Sequence, residues 1–189
     1  MPRGRKKKYY SVTILKNAKS FLELTDSIGI RIDKGAGERY TFRFVNNSIW
    51  TEIDKDEGKP HGYLTLSRPD YTLEGNCSGA WLAKVIESDY EWGPLLLEIA
   101  LEWATRRGGG LTADRFRVTE YEYNVWNHIL GKIGGDFSCK PIAHCFNKSS
   151  KVWAERLKST EEEVATSFIY EKTPDILIKL EKQRRIKAK

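Results

Sequence analysis

The chain has 189 residues, 40 % hydrophobic and 31 % charged, with six Trp, nine Tyr and seven Phe. That is the size of one compact domain with ample apolar side chains for a core, which excludes a disordered or collagen-like chain. The net charge of +6 raises the question of a polyanionic partner, and its distribution along the chain narrows the answer. Arg3, Arg5, Lys6, Lys7 and Lys8 give residues 1–8 a charge of +5, and residues 179–189, with six basic side chains against Glu181, carry another +5. The body between them is left mildly acidic, at −4. The chain therefore divides into a basic tail over 1–9, a single domain over 10–178 and a second basic tail over 179–189.

No stretch approaches the roughly 18–20 apolar residues of a membrane span, and the N-terminal RGRKKK is followed by no apolar signal region, so a soluble, cytoplasmic protein with no membrane contact is expected. Three cysteines do not make a disulfide framework, and reduced thiols are the expectation. Cys139, His144 and Cys145 are close in sequence but lack the second pair that a zinc site needs, so no metal is expected. Cys77 has no evident base beside it and reads as a core thiol.

In chain order, Tyr10 to Trp50 predicts short strands with one short helix over Ala18–Asp26. YTFRFV alternates with period two as a half-buried strand does. The polar run Asp54–Gly62 is a loop, Gly62–Ser67 a strand, and Gly79–Ser88 another. GPLLLEIALEWATRR places Leu96, Ile99, Ala100 and Trp103 at helical spacing. Pro94 suits a first turn and Gly108–Gly110 suit a stop, so a helix runs from Pro94 to Arg107. LTAD is a short strand. A second helix starts at the cap Thr119, with Glu120 and Glu122 favourable in its first turn, and ends near Gly131. KVWAERLKST is a helix or a surface excursion, Ala165–Tyr170 suits a late strand, and DILIKLEKQRRIKAK alternates briefly before becoming a charged tail. Together these elements predict an α/β (α+β) fold, a single layered domain with a central mixed, mostly antiparallel sheet flanked by helices.

A strand that runs into a Gly-marked turn and then a helix N-terminus offers free backbone N–H groups and a helix dipole to an anion. AWLAKVIESDYEWGPLLLEIALEWATRRGGGLTAD has that arrangement. With the strand LTAD and the helix VTEYEYNVW that follow, Gly79–Gly135 resembles the core of the GNAT superfamily of acyl-CoA-dependent N-acyltransferases. The GPLL helix start and the later Asp114, Arg115, Val118, Val125 and Trp126 are similar to divergent GNAT-like proteins of bacteriophages.

The resemblance implies acetyl-CoA, or another acyl-CoA, as cosubstrate and an amine as acceptor. Backbone groups of Val85, Ile86 and Glu87 would then meet the pantetheine arm, and the loop and helix start from Tyr90 to Leu95, including Trp92, Gly93 and Pro94, would cradle the pyrophosphate. Glu87 is the candidate general base, from a group that also contains Asp89, Glu91 and Asp114. Tyr123 and His128 are the candidate acids for the leaving thiolate, since Trp126, which stands where the family usually has its Tyr, cannot ionise. The family's loop pattern has Ser88, Glu91 and Gly93 at its three marked positions, so only the second glycine is kept. A carboxylate at Glu91 would repel a pyrophosphate about 4 Å away by about 1 kcal/mol in water. A second reading, a catalytically silent GNAT-like domain with a structural or nucleic-acid-binding role, places polyanion contacts on Arg3, Arg5, Lys6, Lys7, Lys8, Arg184 and Arg185.

Overall fold

The computed structural model describes residues 18–54, 59–69, 77–89, 91–114, 119–132, 139–142 and 167–189. The basic residues Arg3 to Lys8, the segment KVWAERLKST and the pair His144 and Cys145 lie outside them. The elements are β1 (Ile28–Lys34), β2 (Arg39–Asn46), β3 (Gly62–Ser67), β4 (Trp81–Ser88), α1 (Gly93–Arg106), β5 (Leu111–Ala113), α2 (Glu120–Lys132), β6 (Cys139–Pro141), β7 (Ser167–Tyr170), α3 (Ile176–Lys182) and β8 (Ile186–Ala188). The short helix expected over Ala18–Asp26 is a single 3-10 turn, Phe21–Glu23, whose start is held by the Ser20 N–H donating to the Glu23 carboxylate at 2.8 Å.

The strands form one mixed sheet in the order β6-β7-β5-β4-β3-β2-β1-β8. Two pairs, β4 with β5 and β1 with β8, are parallel, and the other neighbours are antiparallel. Alternation decides the faces. Ile30, Ile32, Phe42, Phe44, Leu64, Leu66 and Ile86 come to one face through the strand pairing, and all are buried. Helix α1 packs on that face. Every residue from Gly93 to Ala104 is buried, as expected of a helix surrounded on all sides. Trp103, in its last turn, lies 4.9 Å from the Trp81 ring, 4.7 Å from Tyr40 and 5.6 Å from Phe42. Gly108, Gly109 and Gly110 end the helix with φ of 78°, 141° and 74°, conformations that other residues rarely adopt.

One buried carboxylate docks the C-terminal part. Glu102, fully buried in α1, accepts the Ile176 N–H at 2.8 Å at the start of α3 and pairs with Arg106 at 2.9 Å. Helix α3 then delivers β8, which pairs with β1 in the register Ile30 with Ile186 and Ile32 with Ala188. The segment 179–189 is therefore no tail: it forms the end of a helix and an edge strand of the sheet. Charge composition reads it as solvated, whereas its Leu180 is buried and Arg185 is 4 % exposed.

Arg185 is the anchor. Its guanidinium donates to the carbonyls of Ile28 at 2.8 Å, Leu24 at 3.1 Å and Thr25 at 2.7 Å, and to the Gln183 side chain at 2.7 Å. It thereby ties the last strand to the chain that enters the first. Arg185 is removed from the set of polyanion contacts, while Arg184 stays exposed. Cys77, fully buried, is disulfide-bonded, which corrects the expectation of reduced thiols.

Replacing Arg185 with Ala strands buried carbonyls, and the expected loss of unfolding free energy in urea titrations is about 2–4 kcal/mol. Arg184→Ala at the neighbouring exposed position is expected to change it by less than about 0.5 kcal/mol.

Candidate functional site beyond the end of β5

Strands β4 and β5 pair only over Trp81–Ala83 and Leu111–Ala113. The last rung among the described residues is the Asp114 N–H donating to the Ala83 carbonyl at 3.0 Å; β5 ends at Ala113, while β4 runs on to Ser88. A bulge in β4 marks the same place: Leu66 faces Ala83 and Thr65 faces Val85, so Lys84 is the extra residue. The cleft that opens has a volume of about 580 Å³ and is bounded by the β3 and β4 strands from Tyr63 to Ser88 and by the start of α2.

At this opening β4 presents a backbone donor with no strand to meet it. The Ile86 N–H is taken by Glu122, whose Oε1 accepts it at 3.0 Å. The other oxygen, Oε2, accepts the Thr119 N–H at 3.1 Å, while Thr119 Oγ1 accepts the Glu122 N–H at 3.2 Å. The last two bonds form a reciprocal capping box that starts α2. The first joins that helix end to the sheet across 36 residues of sequence. Glu122 is 6 % exposed, and burial pushes its carboxyl above the ordinary range, reinforced by Asp114 and Glu87 and opposed by the two backbone N–H groups.

Tyr121 closes the inner end. Its hydroxyl lies in close contact with Ser88 Oγ and donates to the Asp89 carbonyl at 3.4 Å. A Cβ at Gly93 would overlap that hydroxyl, so a glycine is required where helix α1 meets α2. Lys84 Nζ pairs with Asp114 at 2.9 Å. Glu87 bonds the Tyr63 phenol, and this bond together with burial and the carboxylate's charge holds the phenol's pKa above its ordinary value.

Of the sequence-predicted positions, Val85, Ile86 and Glu87 line the cleft, as do Asp89 and Ser88. Trp92, Gly93, Pro94 and Leu95 are buried and do not line it, and the Trp92 ring packs against Phe44 with centroids 6.0 Å apart. Tyr123 and His128 are also not among the lining residues, and Trp126 stacks on Phe168 in the core at 5.8 Å. The structure brings Tyr121 and Glu122 to the cleft instead. The spacing Thr119-x-x-Glu122 is a capping-box signal readable in the sequence, but nothing local predicts its reach to Ile86.

Glu122→Ala leaves the Ile86 and Thr119 N–H groups without an acceptor, and the expected loss of unfolding free energy is about 1–3 kcal/mol. Glu122→Gln keeps one acceptor and should lose less. Because the folded-state pKa of Glu122 is raised, the folded protein holds the proton more tightly than the unfolded chain. The associated stability is present in acid and is lost as pH rises through the folded-state value. Urea titrations from about pH 4 to about pH 7 should therefore show wild-type stability falling relative to Glu122→Gln.

Among the described residues, no helix is long and apolar enough to cross a membrane, and no group of three or more His, Cys, Asp or Glu is placed to hold a metal ion. No protein-family model, no curated protein and no solved structure matches the chain.

Proposed function

We propose that the chain is a GNAT-like, acyl-CoA-dependent N-acyltransferase whose thioester arm enters the cleft where β4 runs on beyond β5. The observation that carries this reading is the end of that parallel pairing at the Lys84 bulge, beyond which Ile86 lines a cleft and gives its N–H to a side chain rather than to β5. An extended arm rich in amides needs such a backbone donor. It would take the Ile86 N–H in place of the Glu122 carboxylate, which the ligand would have to displace.

In the reaction the acceptor nitrogen attacks the thioester carbonyl, the carbon–sulfur bond breaks, and the amine proton passes to a cleft carboxylate. Glu122 is the better placed for that role, since it lines the cleft and burial raises its pKa, whereas Glu87 is bonded to Tyr63. Tyr121, whose hydroxyl reaches the inner end of the cleft, takes the place given to Tyr123 and His128 and protonates the leaving thiolate. The buried start of α1 weakens the assignment of Trp92 to Leu95 to the pyrophosphate, and the carboxylates of Asp89 and Glu91 beside it act in the same sense.

One observation favours the second reading, a silent domain of the same fold with a structural or polyanion-binding role. Glu122 already satisfies the strand's donor, and Tyr121 already fills the space over Gly93. In that case the polyanion contacts are Arg3, Arg5, Lys6, Lys7, Lys8 and Arg184, and host cytoplasm or a phage particle is the setting.

Calorimetric titration with acetyl-CoA separates the two. The acyltransferase reading predicts saturable heat with Kd below about 1 mM and a matching rise in thermal midpoint. Absence of heat from both the wild-type protein and Glu122→Gln contradicts it and leaves the silent domain.

A further inference from the structure

The sheet face turned away from α1 carries a second hollow, at the opposite end of β3 from the cleft. Its volume is about 340 Å³, and it is lined by Ala36, Glu38, Arg39, Ser67, Arg68 and Lys84. Arg39 and Ser67 are cross-strand partners on β2 and β3, one position along from Tyr40 and Leu66, and so point to the face opposite the core. The Arg68 N–H donates to the Glu38 carbonyl at 3.2 Å, which brings the β1–β2 hairpin and the end of β3 together as the walls.

Two cations, Arg39 and Lys84, line this hollow from its own face, and Arg68 lines it with its guanidinium turned to the α1 side. Arg68 is held in place: its guanidinium lies 3.9 Å over the Trp81 ring, bonds the Gly79 carbonyl and stands 3.6 Å from Glu38. Lys84 is held by Asp114 at 2.9 Å. Arg39 is exposed and has no carboxylate partner among the described residues. Ser67 forms the floor. It is 8 % exposed, and its hydroxyl has no hydrogen-bond partner in the protein. A buried hydroxyl left unpaired is unfavourable, and natural folds rarely keep one without a use. Within the hollow the donors are Arg39, Lys84 and Ser67, and the only opposing charge among the described lining residues is Glu38.

We propose that this hollow is a binding site for an oxyanion group, a phosphate or a carboxylate carried by a small molecule. Arg39 supplies the uncompensated charge and Ser67 the hydroxyl that fixes the group at the floor. Lys84 lines both this hollow and the cleft, so an anion held here lies beside the bulge that borders the cleft. The site stands on its own geometry and does not depend on acyl transfer.

The test uses the full chain, with inorganic phosphate and acetate as separate probes and backbone amide NMR shifts at Arg39 and Ser67 as the readout. Saturable shifts with Kd on the order of 1 mM are expected for at least one probe, and the one that saturates identifies the group as phosphate or carboxylate. Arg39→Ala should weaken binding about tenfold and Ser67→Ala several-fold. Ser67→Ala in anion-free buffer should leave the thermal midpoint unchanged, because the hydroxyl has no bond to lose. The proposal is overturned if neither probe saturates by about 50 mM, or if both variants bind as the wild type does. A failure to bind acetyl-CoA alongside saturable phosphate binding would overturn the acyltransferase reading and leave this site standing.

Discussion

A strand that outruns its neighbour leaves backbone groups with nothing to bond, and in this protein the stretch of β4 beyond the end of β5 is met by one side chain. The Glu122 carboxylate accepts the Ile86 N–H with one oxygen and caps α2 with the other. It acts as a substitute for the next residue of a strand. Through it the start of α2 is fixed against the sheet, which in turn sets Tyr121 over Gly93 and gives the cleft its inner wall. Without that clasp the Ile86 N–H would lose its acceptor, and the Tyr121 contact with Ser88 would be left to hold the start of α2 against β4.

The same logic of buried charge meeting stranded backbone recurs at two other places. Glu102 accepts the first N–H of the seven-residue α3, which is too short to be stable by itself. Arg185 collects three carbonyls where the chain enters β1. Each joins segments far apart in sequence, 74 residues for Glu102 and about 160 for Arg185. An ionised group that meets several backbone partners forms stronger bonds than neutral pairs do, which suits it to such junctions.

These junctions explain what the sequence could and could not reveal. Strand β3 and helix α1 were legible because their signals are local: period-two alternation in GYLTLS, and Pro94 and three glycines bracketing an apolar run. The C-terminal segment was not, because its six basic residues suggest solvent and the forces that fold it, Glu102 and the edge of β1, lie elsewhere in the chain. In α2 the start was marked by Thr119, but which tyrosine faces the cleft depends on the helix's rotation against the sheet. Tyr121 has that position rather than Tyr123, since Glu122 fixes the rotation. Trp92 looked like a ligand contact by position and is a core aromatic against Phe44.

Two hollows at opposite ends of β3, both lined by Lys84, define the surface on which function is to be sought. The account rests on Glu122 occupying the ladder position at Ile86, and the amide resonance of Ile86 reports on that directly. Followed by NMR across the acidic range, it should be shifted downfield, protected from exchange, and titrate with a midpoint above that of an ordinary glutamate, a titration that disappears in Glu122→Gln. An Ile86 amide that exchanges freely, or whose shift does not follow the ionisation of Glu122, would contradict the account.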